Sequence, residues 1–316
     1  MRIITRSGKK LKFGLKPVGG GETPNFFQFT NHGSNTTLYI TSASSGTAYI
    51  DGKLTYVFDA NRKTGLYFPA GSVMKVYGLR PRGQGQGTAY SNSSLDNISL
   101  DAFDAGITTP YYMFYQFTGL KSITSWAGAY NYTVMQDTFA FSSGLTSIPA
   151  SWDGLKSVRE LIGTFNGTKL NAIPNSWAGL NSIENLGDVF NGAPIRHIPA
   201  TWDFPTKIRR MWGTFNGCRQ IEAIPVSWKG LEDVWQMSNV FENNSGIVTG
   251  GTEDFGCLSK ITNFTRCFRG CSSWTGNSYA LYQYMSTKPV TVTYHEAVFE
   301  NCTSSTGYSN IPSTWK

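Results

Sequence analysis

Apolar and polar positions obey two different rules along this chain. Between Leu38 and Leu79 the apolar residues come in short β-branched and aromatic runs, Leu38–Thr41, Thr47–Ile50, Leu54–Phe58, Leu66–Phe68 and Val73–Leu79, with polar or glycine-bearing breaks between them. Runs of that length and composition predict strands. Asp51-Gly52 stands between two of them and predicts a tight hairpin, because both central residues of a type I′ turn need positive φ. The expected element is a small antiparallel β-sandwich within residues 1–80. Residues 81–94, rich in Gly, Gln and Ser with little to bury, predict a linker.

From residue 95 to residue 316 the pattern is a repeat. Phe139, Phe165, Phe190, Phe215 and Phe241 are spaced by 26, 25, 25 and 26 residues. Ile148-Pro149, Ile173-Pro174, Ile198-Pro199 and Ile224-Pro225 keep that period, as do Trp126, Trp152, Trp177, Trp202 and Trp228. One such unit is too short to bury its own apolar face, but stacked units form continuous apolar columns. The chain is therefore expected to be mainly β, its sandwich followed by a leucine-rich-repeat-like solenoid of 25–26 residue period. Each proline should close a short parallel strand ending on the preceding isoleucine. Gly154, Gly179 and Gly230, two residues after their tryptophans, should supply the turn into the return arm.

Phe215-Asn-Gly-Cys218 followed by Ile221-Glu-Ala-Ile224-Pro225 resembles the BspA-like group of leucine-rich repeats, and Phe268-Arg-Gly-Cys271 keeps the first half of that motif. The Ser-Trp after the proline and the slightly long unit depart from it. Similar repeats occur in bacterial surface adhesins and in tail or fibre proteins of bacteriophages. The resemblance implies a bacteriophage virion protein, a tail-fibre or tail-tip adhesin that recognises a host surface receptor, either a glycan or an outer-membrane protein. The alternative is a purely structural virion component, such as a decoration or connector protein, followed by a bacterial surface adhesin.

Charge and cysteine content refine this picture. Residues 1–82 hold 12 Lys and Arg against 3 acids, hence +9, while residues 83–316 hold 15 against 17, hence −2. Arg2, Arg6, Lys9, Lys10, Lys12 and Lys16 are expected to form a basic arm that docks on other virion proteins rather than on nucleic acid, since no basic-aromatic alternation follows. No apolar stretch behind these charges reads as a signal peptide or a membrane span, so synthesis in the host cytoplasm and residence in the virion are expected, with homo-oligomers possible. Position three after the repeat phenylalanine holds Ser142, Thr168, Ala193, Cys218, Asn244, Cys271 and Cys302 in turn. A column of small residues favours thiols as packing elements over disulfides or metal ligands.

No enzyme and no cofactor is implied. His32, His197 and His295 lie in separate segments, and the pairs Glu232-Asp233 and Glu253-Asp254 are adjacent rather than opposed. The tryptophan column admits two readings, an exposed sugar-stacking ladder or an inward core stack. The inward one is favoured because five exposed indoles would make an unusually large apolar patch. After Phe241 the units lengthen to 27 and 31 residues, and such irregular loops are where recognition is commonly placed. The candidate receptor-binding residues are Asn243, Asn244, Trp274, Tyr279, Tyr282 and Tyr284.

Overall fold

The computed structural model describes residues 25–82, 87–91, 93–204, 208–251 and 255–316. It is mainly β, with two sheets and little helix. The chain begins with β1 (Phe26–Asn31), β2 (Thr36–Ile40), β3 (Gly46–Ile50), β4 (Lys53–Phe58), β5 (Thr64–Phe68) and β6 (Val73–Tyr77). Strands β2 to β6 fall on the expected runs. The expected turn is present, with Asp51 at φ 49° and Gly52 at φ 80° between Ile50 and its partner Lys53. Strand β1 has no counterpart in the sequence reading. It alternates strictly, placing Phe27, Phe29 and Asn31 inward. Buried Asn31 donates its side-chain amide to the Phe68 carbonyl at 2.9 Å and accepts from the Gly33 amide at 3.0 Å, which fixes the turn into β2.

Three further strands, β7 (Ala89–Tyr90), β8 (Ile98–Ala102) and β9 (Leu120–Ile123), complete sheets ordered β4-β3-β6-β1-β8-β9 and β5-β2-β7. These pairings correct the expected division of the chain. β7, inside the presumed linker, pairs with β2, and β8, beyond it, pairs antiparallel with β1 and parallel with β9. One apolar cluster runs from Phe27 to Trp315. The described parts of the Gly/Gln/Ser segment are pinned by backbone bonds, Thr88 and Ala89 both donating to the Met113 carbonyl at 2.9 and 3.0 Å. Asp104, almost wholly buried, accepts from the Arg80 guanidinium at 2.7 Å. The described residues of this stretch, 87–91 among them, therefore join one sheet-and-core system instead of separating two.

Both sheets end in potentially sticky edges, β4 and β5. The Tyr56 phenol of β4 accepts from the Tyr67 amide at 2.9 Å and donates to the Tyr67 carbonyl at 3.3 Å. One side chain thus occupies the outward backbone groups of the β5 edge at that residue.

In the repeat region successive units lie directly above one another. Rings Phe139, Phe165, Phe190, Phe215 and Phe241 stack at centroid separations of 5.7, 5.8, 5.8 and 6.0 Å. Trp126, Trp152, Trp177, Trp202 and Trp228 form a second stack at 6.3, 6.3, 6.3 and 6.2 Å. All five indoles are buried, which settles the orientation of the column inward.

Parallel bridges connect the units one residue at a time, Val134 to Glu160, then Asn185, Arg210, Gln236, Asn263 and Tyr294. This corrects the expected strand position. The continuous ladder lies five residues before each phenylalanine, not at the Ile-Pro pairs, near which the bridges among the described residues are Ser122–Ser147 and Ala223–Thr249. Proline has no N–H, whereas the stretch from Arg159 to Gly167 and its equivalents contain none and can donate at each level. Leu161, Gly163, Phe165 and Gly167 donate to Asn185, Gly187, Val189 and Asn191 in the next unit at 2.8–3.0 Å.

Each unit also bends through left-handed backbone two residues before and two after the phenylalanine, for example Asp188 (φ 51°) and Gly192 (φ 71°) around Phe190. The expected glycine turn is present, Gly179 having φ 99°, and a Cβ there would lie 2.8 Å from the Trp152 carbonyl carbon one level below. Glycine thus sets both the turn and the spacing of levels.

The final levels carry a helix, α1 (Ser278–Thr287), capped by the Asn277 side chain accepting from the Ala280 amide at 2.9 Å. At its other end buried Lys288 donates to the carbonyls of Ser259, Ile261 and Val290. Burial lowers its pKa from the usual lysine value. No helix among the described residues is long and apolar enough to cross a membrane.

Candidate ligand-binding site

The small-residue column performs more than space filling. Ser142, Cys218, Asn244, Cys271 and Cys302 each donate to the carbonyl of a column aromatic one level below, Phe114, Phe190, Phe215, Phe241 and Phe268, at 2.7–3.0 Å. Thr168 departs from the rule by donating to Phe165 of its own unit at 2.8 Å. That carbonyl is the one Ala193 has no hydroxyl, thiol or amide to reach. All five cysteines are free. Burial pushes the Cys218 and Cys302 thiols up to about 12, so they are protonated donors with no thiolate reactivity at neutral pH. Cys267 belongs to a different column, that of Thr164, Val189, Thr214 and Val240 immediately before the phenylalanine.

Two of the candidate receptor-binding residues are internal. Asn244 is buried and belongs to the donor column, and Trp274 is buried with its ring 4.6 Å from Phe268 and its indole N–H on the Gly250 carbonyl at 3.0 Å. Both are corrected to core positions, because the lengthened units add loops without interrupting the columns. Asn243 is exposed, in the left-handed position after Phe241. Tyr279, Tyr282 and Tyr284 are half-buried on α1. Tyr279 stacks on Tyr282, whose ring meets Trp315 at 5.4 Å, while the Tyr284 hydroxyl donates to Gly256. The α1 segment thus supports the terminal indole, which itself stacks on Phe299 and His295. Arg2, Arg6, Lys9, Lys10, Lys12, Lys16 and the pair Glu253-Asp254 lie outside the described residues.

A serine, a histidine and an aspartate do meet. His32 Nε2 lies 3.0 Å from Ser99 Oγ, which donates to Asp101 at 2.8 Å. The acid sits on the serine rather than on the far imidazole nitrogen, so the base lacks the orienting partner a triad requires. Asp101 also accepts from Thr30 at 2.5 Å and Thr124 at 2.8 Å, and the cluster knots β1, β8 and the segment after β9 together. No group of three or more His, Cys, Asp or Glu among the described residues could hold a metal ion.

The concave feature with chemistry of its own lies where the repeat breaks. Trp152 and Trp177 are followed at their third position by the buried Leu155 and Leu180, and Trp228 by Leu231, but Trp202 is followed by Asp203-Phe204-Pro205. The column leucine is missing at this level. Phe204 turns its ring toward the tryptophan stack, 5.0 Å from Trp177 and 6.3 Å from Trp202. Beside it opens a cavity of about 380 Å³, bounded by Trp202, Asp203 and Phe204 on one level and by Ser227, Lys229 and Glu232 on the next. Asp203 is held in place by the Trp177 amide at 3.0 Å and the Ser176 hydroxyl at 2.5 Å. Glu232 accepts from the Gly230 amide through Oε1 at 3.0 Å. The Trp202 indole N–H is buried without a partner among the described residues, a state it shares with Trp152, Trp177 and Trp228. Trp126, by contrast, reaches the Ser151 carbonyl one level above at 2.9 Å.

Aromatic walls with a few polar groups at the rim describe a small-molecule binding site. Sequence reasoning passed over Asp203, Phe204 and Lys229, and weighed Glu232 only as half of the adjacent pair Glu232-Asp233, although the loss of Gly-Leu after Trp202 marked this level as different. The chain matches no protein-family model, no curated protein and no solved structure.

Proposed function

We propose that the repeat region is a leucine-rich-repeat-like solenoid and that the protein is a bacteriophage virion component, a tail-fibre or tail-tip adhesin presenting this solenoid to the host surface. The observation that supports the reading best is the contrast between interior and exterior. Inside, the phenylalanine and tryptophan columns repeat almost without change from level to level. Outside, the bridge ladder presents the partly or fully exposed Glu160, Arg210, Gln236, Asn263 and Tyr294, a different chemistry at each of these levels, while Asn185 of the same ladder is buried. Glu160 and Arg210 lie 3.5 Å apart in a partly exposed ion pair, and Trp235 and Tyr294 are exposed. A purely structural rod needs the first property; a recognition surface uses the second.

The basic N-terminal residues supply the proposed attachment to other virion proteins. Gold-labelled antibody to the chain should mark the tail tip or fibres of the particle, and purified chain added to host cells should reduce particle adsorption. Labelling confined to the capsid, with no competition for adsorption, would replace the adhesin reading by the structural one.

A further inference from the structure

We infer that the corner of the repeat two residues after each phenylalanine is a self-association surface, on which a second copy of the chain docks antiparallel about a two-fold axis between the levels of Gly167 and Gly192. The corner is held in successive levels by Gln116, Phe141, Gly167, Gly192, Gly217 and Asn243, all with left-handed backbone. Glycine and asparagine adopt that conformation readily, whereas a phenylalanine is strained in it. Burial does not offset the strain, because Phe141 is 45% exposed. A strained, exposed aromatic where other levels carry glycine or an amide points to a contact outside the chain. Its ring rests against Tyr115 at 5.6 Å and lies across Gly167, whose Cβ, if built, would meet it at 2.7 Å. The next two levels are bare. A Cβ on Gly192 would have nothing within 4 Å, and one on Gly217 would meet only the Gly192 backbone at 3.8 Å. An aromatic ridge is thus followed by a glycine furrow.

The order of the six residues selects the occupant. From Phe114 to Phe241 the column rings are spaced at 5.3–6.0 Å, so a reversed copy keeps register with the original level by level. Reversal sets Phe141 opposite the second copy's Gly217, Gly167 opposite its Gly192, and the exposed Gln116 opposite its exposed Asn243. Each ridge enters a furrow and each exposed amide meets an amide, which is the self-complementarity an isologous contact requires. One residue nearer the phenylalanine, Asn166 falls opposite Asn191. The Asn166 amide has no partner among the described residues, and Asn191 uses its NH₂ on Asp188 at 2.9 Å while its carbonyl oxygen accepts from none of them. Charge agrees with the same register. Asp137 and Asp188 fall opposite Gly213 and Gly163, and Lys169 and Arg219 opposite Pro194 and Ser143, so no like charges meet. A parallel pair would set Phe141 on Phe141 and leave both furrows unfilled.

The pair carries its two N-terminal sheets at opposite ends, so it can engage two surfaces at once, whichever function the single chain serves. Sedimentation equilibrium of the full chain between about 1 and 100 µM should show a monomer–dimer equilibrium. Phe141→Asn installs the residue type that this corner carries at Asn243 and Asn301, and should weaken the dimer at least about tenfold without lowering the melting temperature. Gly217→Asn fills the furrow with a residue that tolerates left-handed backbone and should weaken it similarly. Asn301→Gly, at the same corner but outside the contact, should leave the dimer within about twofold. The arrangement is read from a Phe141→Cys/Gly217→Cys variant in a Cys257→Ser background, the other native thiols being buried. Positions 141 and 217 lie three levels apart in one chain, at 5.7–5.8 Å per level, too far for an internal disulfide. Oxidised glutathione should therefore give a covalent dimer linked between position 141 of one copy and 217 of the other. A monomer throughout the concentration range overturns the proposal. So does a dimer that either asparagine variant leaves intact, or a peptide map in which the 141–217 linkage is absent.

Discussion

Replacing Gly213 by alanine tests how the levels are spaced. Gly213 has φ 61°, two residues before Phe215, and a Cβ there would come 2.0 Å from Asp188 Oδ1 on the level below. Gly192 has a similar φ of 71° but nothing within 4 Å of a built Cβ, so it serves as an internal control for backbone strain alone. Placing an L-residue in left-handed conformation costs about 1–2 kcal/mol, and Gly192→Ala should lose that much. Gly213→Ala carries the same strain and must also displace the Asp188 carboxylate. Pushing that side chain off its rotamer costs about 0.5–1.5 kcal/mol. Its hydrogen bond from Asn191, at 2.9 Å, is also lost; with the carboxylate partly solvated this adds about 1 kcal/mol. The expected loss is therefore about 3–4 kcal/mol, measured by urea denaturation followed by tryptophan fluorescence. Asp188→Gly should rescue Gly213→Ala specifically, giving a coupling of about 1.5–2 kcal/mol in a double-mutant cycle. Equal losses in the two alanine variants, or a cycle with no coupling, would refute the account of inter-level spacing.

The other expectations concern single columns. Phe190→Ala should cost about 3–5 kcal/mol, because the ring is fully buried between Phe165 and Phe215; a loss below about 1 kcal/mol in the same melt would show that the column is not core. Burial, opposed by the Asn191 bond and joined by the Asp137 charge, raises the Asp188 pKa. Because the folded value lies above the unfolded one, Asp188 favours the fold only below about pH 4 and opposes it as pH rises through the folded value. Asp188→Asn, which copies Asn239 two levels above, should therefore raise the melting temperature at pH 7 and lose that advantage near pH 3; an unchanged difference across that range would contradict the assignment. Cys218, Cys271 and Cys302 should react with a thiol reagent only on unfolding, with no linkage among them in non-reduced peptide maps.

What the sequence made legible was whatever repeats or is local. The phenylalanine and tryptophan periods translate directly into ring stacks, and Asp51-Gly52 into its turn. Less legible was anything fixed by segments far apart in the chain. Ile98–Ala102 reads as the start of the repeat, yet it pairs antiparallel with Phe26–Asn31 as well as parallel with Leu120–Ile123, since strand pairing is decided by the partners that tertiary packing brings together. The donor column was visible as a set of small residues but not as a set of hydrogen bonds, because side-chain size can be read from letters and direction cannot. Asn244 illustrates the consequence, its polar side chain and its place in a lengthened unit both suggesting solvent, whereas its amide is spent on the Phe215 carbonyl. The candidate cavity was obscured for the opposite reason. It lies at the one level where Asp203-Phe204 follows the tryptophan, and a search for what recurs passes over what fails to recur.

The tryptophan stack also gives the molecule optical properties. Trp152 and Trp177 lie 6.3 Å apart with planes inclined by 3°, and their neighbours differ little from this. Chromophores held so close and so nearly parallel share their excitation, so absorption by one indole is delocalised along the row with little change in the plane of its transition dipole. The delocalisation depends on uninterrupted order. Peeling of levels from either end would shorten the row one chromophore at a time, and near-ultraviolet dichroism would then report the length of the surviving stack, not merely the folded fraction.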